Sequence, residues 1–272
     1  MESEIPAAIA LPAEPDGHSY ELTGLARGPW APDAAHGGAP VALITREAEK
    51  FGAEDGLRLA SLSSTFYGPV ALGKIEIEAE VVKPGRRQKV VRVILRSGDR
   101  VAIEATGILL RQAEVPLPDG INRTGPPLSP PEEGEGVDNS LWAAGNEIAF
   151  HRTTNTVLKL DGGPDEVGHT GTAWFRLEYP LVPGEDLSPL QRAAAAADFG
   201  NGLAHPVPFG EYLFVNCDLS FSTFRDPVGD WIGLVSRTDV DPVGSGLTTT
   251  ELHDRSGRFG AASQSLYVDQ VR

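Results

Sequence analysis

The chain has 272 residues, of which 40% are hydrophobic and 22% charged, enough for two domains of ordinary size with a buried core. Its net charge of -15 excludes non-specific binding to nucleic acid or to an anionic membrane, and any phosphorylated ligand would have to be met by local basic groups. The single cysteine, Cys217, excludes an internal disulfide and fits a reducing cytoplasm, and no apolar run reaches the roughly 18 residues of a membrane-spanning helix.

The first fifteen residues are rich in Pro, Ala and Glu and lack a basic and apolar leader pattern, so they read as a loose lead-in without a secretory signal. Ser19 to Arg27 is expected to be a strand. After His36-Gly37-Gly38, apolar residues at Val41, Ile44, Ala48 and Phe51 have helical spacing, with Gly52 as the stop. Ile75, Ile77, Ala79 and Val81 alternate with Lys74, Glu76, Glu78 and Glu80, the pattern of a half-buried strand. Turns at Lys83-Pro84-Gly85-Arg86 and Ser97-Gly98-Asp99 then separate strands over Val90 to Arg96 and Val101 to Leu110. A helix followed by an antiparallel meander is an α+β pattern.

From Glu114 to Gly136 the chain is dense in proline, glycine and charge, which reads as a linker. The expected division is a first domain over 16–113, a linker over 114–140 and a second domain over 141–272. Strands are expected near Asn146 to Thr153 and Thr170 to Glu178. Ser188-Pro189-Leu190-Gln191 is a helix start with serine at the N-cap and glutamine three residues on, and five alanines, Ala193 to Ala197, lead to Phe199-Gly200 as its end.

The two halves repeat. Phe66 and Phe224, Pro69 and Pro227, Pro84 and Pro242, and Arg100 and Arg258 all stand 158 positions apart. The helix ends, Phe51 and Phe199, stand 148 apart, so about ten residues are inserted in the second half, around His205 to Glu211. Asp198 closes the second helix, where a carboxylate faces the negative end of the helix dipole at a cost of about 0.3–1 kcal/mol. The matching position in the first helix is Lys50, which the dipole favours. A broken local rule marks Asp198 as a functional candidate, against the alternative of an exposed helix-end acid.

A helix wrapped by an antiparallel sheet, repeated in tandem and introduced by His36-Gly37-Gly38, resembles the double hot-dog fold. From Ser19 to Arg272 the chain is similar to the acyl-CoA thioesterase II (TesB-like) family. That resemblance implies hydrolysis of an acyl-CoA to free acid and CoA by an activated water, with no cofactor and further association into a homo-oligomer. It also implies a water-holding set of an aspartate, a strand hydroxyl and a last-strand glutamine, which fall here on Asp198, Asn216 and Gln264. Asn216 stands where the family has threonine. Backbone N–H groups at Gly37 or Gly38 would meet the oxyanion, as a helix N-terminus suits, and His36 would orient the substrate or cap the turn. On the residues alone, Gln264 could equally be bonded to backbone, and Asn216, Asp218, Ser220 and Ser222 could form a solvated face.

Covalent routes find no support in the sequence. There is no Gly-x-Ser-x-Gly, and Cys217 among Val215, Leu219 and Phe221 reads as core. The six histidines lack metal-ligand spacing, and no dinucleotide or phosphate-binding glycine motif is present. The basic run Lys83 to Lys89 is either a CoA phosphate contact or a solvated hairpin tip. Two rival functions remain: a hot-dog enoyl-CoA hydratase, suggested by Asp198-Phe-Gly-Asn201 to His205, and an acyl-ligand-binding protein without catalysis.

Overall fold

The computed structural model describes residues 6–14, 17–121, 125–137, 149–162 and 167–271. Two long helices, α1 (Gly38–Ala53) and α3 (Pro189–Ala197), pack against one another inside a continuous antiparallel sheet. In chain order the remaining elements are β1 (Ala10–Pro12), β2 (Ser19–Leu22), β3 (Leu57–Phe66), β4 (Gly73–Lys83), β5 (Gln88–Ser97), β6 (Arg100–Arg111), β7 (Glu135–Gly136), α2 (Ala149–Arg152), β8 (Asn155–Gly162), β9 (Thr170–Leu177), α4 (Gly200–Leu203), β10 (Tyr212–Asn216), β11 (Asp218–Thr223), β12 (Ile232–Asp241), β13 (Ser245–Asp254) and β14 (Gly257–Gln270). The sheet order is β1-β2-β4-β5-β6-β3-β11-β14-β13-β12-β9-β8-β7. The orders β4-β5-β6-β3 and β12-β13-β14-β11 are equivalent, so the repeat is real at the level of topology.

The joint between halves is β3 against β11, with Ser63 opposite Ser220 and their hydroxyls 2.7 Å apart. Arg58 of β3 crosses this joint, donating to the Thr223 hydroxyl at 2.6 Å and the Thr223 carbonyl at 2.7 Å. Local detail repeats as well. The Ala71 N–H donates to the Ser97 hydroxyl in the first half, and the Val228 N–H donates to the Asp254 carboxylate in the second.

α1 and α3 run antiparallel. A methyl group at Gly38 would lie 2.4 Å from the Ala195 carbonyl oxygen, so a glycine on one helix and small side chains on the other set their close approach. At the opposite end, Glu49 of α1 accepts from the Ser188 hydroxyl at 2.8 Å and from Gln191 Nε2 at 3.0 Å, reinforcing the capping box that starts α3.

Several expectations change. The lead-in is not loose where it is described: Ala8, Ile9 and Ala10 are fully buried, and the Ile9 and Ala10 N–H groups donate to the carbonyls of Pro180 and Leu181. The strand expected over Ser19 to Arg27 ends at Leu22, because Thr23 caps a short 3-10 turn over Gly24–Ala26. Gly52 does not stop α1. It lies inside the helix, where an added methyl would meet the Leu57 carbonyl oxygen at 2.2 Å. Of the strand expected near Asn146 to Thr153, 146–148 lie outside the described residues and Ala149–Arg152 is a helical turn. Within the expected linker, Glu135–Gly136 pairs with β8 and Trp174 Nε1 donates to the Ser129 carbonyl, so this stretch docks onto the second half. The basic run is mostly a solvated tip, with Lys83 to Arg87 exposed, while Lys89 donates to the Phe51 carbonyl near the end of α1.

Candidate active site

The C-terminal end of α3 lies beside the N-terminal end of α1. Asp198 is the C-cap of α3 and is 5% exposed. Gly37 is the N-cap of α1, and a methyl there would lie 2.8 Å from Asp198 Oδ2 and 3.0 Å from Oδ1. Gly37 is therefore required by the carboxylate lying against the backbone. The positive end of α1 faces this carboxylate and offsets the unfavourable dipole of α3. Burial of a bare acid is tolerated because its partners are built in.

Asn216 Nδ2 donates to Asp198 Oδ1 at 2.5 Å, and Asn201 Nδ2 donates to Asn216 Oδ1 at 3.2 Å. The second amide thereby fixes which way the first one faces. His36 Nδ1 lies 2.9 Å from Asp198 Oδ2 and also 3.1 Å from the Gly38 nitrogen. One ring nitrogen cannot accept from Gly38 and donate to Asp198 at once. The contact with the carboxylate is charge-assisted and the stronger, so the proton is assigned to Nδ1 and the bond to Asp198. The His36 ring packs against Phe150, stacked at 4.8 Å, against Phe199 at 4.4 Å and edge-on to His151 at 4.7 Å.

Gln264 is 1% exposed and both ends of its amide are used. Its Oε1 accepts from the Asn201 N–H at 3.2 Å, and its Nε2 donates to the Asp198 carbonyl at 3.3 Å. It ties together the turn that carries Asp198 and Asn201 and lies behind the cavity lining. In-and-out alternation on the last strands fixes its counterpart in the first half. The inward position matching Gln264 on β6 is Gly107, one residue on from the Thr106 that a uniform offset gives.

The carboxylate opens into a cavity of about 400 Å³ between the halves. The first half contributes Trp30, His36, Gly37 and Phe66 to its lining. The second contributes His151, Asp198, Asn201, Phe209, Phe214, Asn216 and Cys217. The structure thus brings His36, Gly37, Asp198 and Asn216 to one lining and leaves Gly38 and Gln264 just outside it. Cys217 is not core. It is exposed at the break between β10 and β11, where its N–H donates to the Ser265 carbonyl and its carbonyl accepts from Phe66. Asn201 and His151 were missed as site residues. Asn201 carried a signal only through its place three residues after Asp198, and His151 carried none. Among the described residues no group of three His, Cys, Asp or Glu is placed to hold a metal ion, and no helix is long and apolar enough to cross a membrane.

Two antiparallel helices packed side by side inside a tandem antiparallel sheet define a double hot-dog protein, with a buried aspartate against a glycine N-cap as its candidate site. The sequence matches the acyl-CoA thioesterase N-terminal domain over residues 26–110 and the acyl-CoA thioesterase C-terminal domain over residues 123–268. The chain belongs to the acyl-CoA thioesterase family and is a thioester hydrolase. No curated protein matches it by sequence. Solved structures share its fold. A protein assigned as a thioesterase from Novosphingobium aromaticivorans superposes with a TM-score of 0.73 at 21% identity, covering 97% of this chain and 99% of its own. A hot-dog protein from Alicyclobacillus acidocaldarius gives 0.72 at 16% identity, covering 95% and 96%. An acyl-CoA thioesterase II from Mycobacterium marinum gives 0.63 at 15% identity, covering 96% and 95%.

Proposed function

We propose that this thioesterase hydrolyses its substrate by direct attack of water, with Asp198 as general base. Water donates one proton to Asp198 Oδ1 and is steadied by the second N–H of Asn216, since the first already serves Asp198. Its oxygen attacks the thioester carbonyl carbon. The charge that develops on the carbonyl oxygen meets the Gly37 N–H at the positive end of α1, a donor with no partner among the described residues. Collapse of the intermediate breaks the carbon–sulfur bond, and the proton held by Asp198 passes to the departing CoA sulfur. His36 holds Asp198 Oδ2 and so keeps Oδ1 turned to the water. Gln264 and Asn201 are positioning residues, acting through the turn and through the Asn216 amide.

The observation that carries this reading is the buried Asp198 carboxylate, gripped on both oxygens by donors and opening into an apolar-walled cavity. The non-catalytic alternative loses its main ground, because Asn216 in place of threonine still reaches the carboxylate as a donor. Asn201→Asp tests the relay. An acid there turns the Asn216 amide around and adds a negative charge beside Asp198. The expected result is a kcat reduced about 10²-fold, little change in KM, and an acid limb of the pH–rate profile moved to higher pH. An unchanged pH profile with normal kcat would remove Asn201 and Asn216 from the mechanism.

Two further features belong to the same proposal. The protein acts in the cytoplasm, supported by its one cysteine being an exposed free thiol. It associates into a homo-oligomer through the outer sheet faces, supported by exposed Val82, Leu110 and Leu247.

A further inference from the structure

The inserted segment of the second half builds one wall of the cavity. In the first half, α1 passes to β3 across Glu54 to Gly56. In the second, α3 passes through α4, a loop and β10 before reaching β11. That detour supplies Asn201 and Asn216 to the polar end of the cavity and Phe209 and Phe214 to its apolar part. Phe214 anchors the detour through its own small core with Leu266 and Val268. Trp30 arrives from the first half and packs on both rings, 5.2 Å from Phe209 and edge-on to Phe214 at 5.4 Å, while Phe209 and Phe214 meet edge-on at 5.8 Å. The three rings brace one another, and such contacts resist displacement.

This wall stands close to the reacting centre. Phe214 and Asn216 are two residues apart on β10 and share a face, so Phe214 lies roughly 7 Å along the strand from the residue that steadies the water. The volume sets a second bound. A cavity of about 150 Å³ accommodates benzene, so the 400 Å³ here corresponds to roughly 16 non-hydrogen atoms on that scale. The thioester and the first atoms of the pantetheine arm take up part of that number.

Resting on the assignment of Asp198 as the hydrolytic centre, we infer that the enzyme is selective for acyl groups of short to medium length, up to roughly eight to ten carbons on the same scale, and that Trp30, Phe209 and Phe214 set the limit. A long fatty acyl chain would have to part the ring cluster or turn back toward the cavity mouth.

The test is kcat/KM on straight-chain acyl-CoAs from acetyl to palmitoyl, for wild type, Trp30→Ala and Phe209→Ala. Trp30 is 41% exposed, so its removal is expected to spare the fold, whereas Phe209→Ala is expected to open the wall from the other side. The expected wild-type profile peaks at medium length and falls at least about tenfold by palmitoyl. Each variant is expected to move the peak to longer chains. Wild-type activity on palmitoyl-CoA equal to that on octanoyl-CoA would overturn the inference, as would variants that lose activity in equal proportion at every length. Running Asp198→Ala alongside keeps the two readings apart. Hydrolysis that survives in that variant counts against the catalytic assignment and leaves the length profile to be judged by itself.

Discussion

At the scale of single residues, the site is a solution to the placing of one carboxylate. Asp198 sits at the wrong end of its own helix, and the cost is offset by the N-terminus of α1, by His36 and by Asn216. This approach works only if residue 37 has no side chain. Gly37→Ala keeps the backbone donor but drives a methyl into the Asp198 carboxylate. Its kcat is expected to fall about 10²-fold, with KM little changed and thermal unfolding near that of wild type. A Gly37→Ala enzyme with wild-type kcat would show that the carboxylate need not hold this position. Asp198 could be singled out from the sequence because it breaks a local rule, and Gly37 and Gly38 through the family resemblance and their place at a helix start. Asn201 carried only its place three residues after Asp198 and His151 carried no signal, since chain neighbours do not show which residues folding brings to the same lining.

At the scale of elements, the long helices and the two meanders follow directly from periodicity and turn residues. The departures lie where tertiary contacts outweigh local pattern, as at Gly52 and at the break around Cys217. The halves also differ in what they bury. Core-facing positions held by Ala79, Val91 and Val93 in the first half carry Ser236, Thr248 and Thr250 in the second. Ser236 and Thr250 share a hydrogen bond at 2.9 Å, and Thr238 and Thr248 share one at 2.7 Å. A methyl at Gly200 would lie 2.6 Å from the Thr250 hydroxyl, so this polar layer supports the turn that follows Asp198. Glu49, between the two helices, is a second element-scale device. Burial pushes its carboxyl above the usual glutamate range, against the pull of its bonds from Ser188 and Gln191. The folded state thus holds the Glu49 proton more tightly than the unfolded chain. The associated stability is present below the ordinary glutamate value and is lost as pH rises through the raised folded value. Glu49→Gln should unfold at higher temperature than wild type at pH 8, with the difference shrinking near pH 4. Equal melting of the two proteins at both pH values would contradict that origin.

At the scale of the whole molecule, the fusion of two halves makes one unequal site out of a repeated fold. The glycine N-terminus comes from the first half and the aspartate from the second, and Lys50 stands where a second aspartate would be. The second half has a buried ionic lock without a first-half equivalent. Asp254 is fully buried and accepts from Arg225 through both oxygens, from the Val228 N–H at 2.8 Å and from the Ser256 N–H at 2.8 Å. Desolvation raises its carboxyl, but Arg225 and the two N–H groups outweigh it and leave it below the usual aspartate range. Arg225→Ala leaves that charge buried without its cation and should cost about 3–5 kcal/mol in urea unfolding. A loss under about 1 kcal/mol would mean that water replaces the guanidinium.

The central claim is that water is activated by Asp198 in a cavity shared by the two halves. Release of CoA thiol from medium-chain acyl-CoA, followed with a thiol reagent for wild type and Asp198→Ala, tests it most directly. Wild type is expected to release thiol steadily and Asp198→Ala to show a kcat at least about 10²-fold lower, with substrate binding retained. Release by Asp198→Ala at the wild-type rate would contradict it.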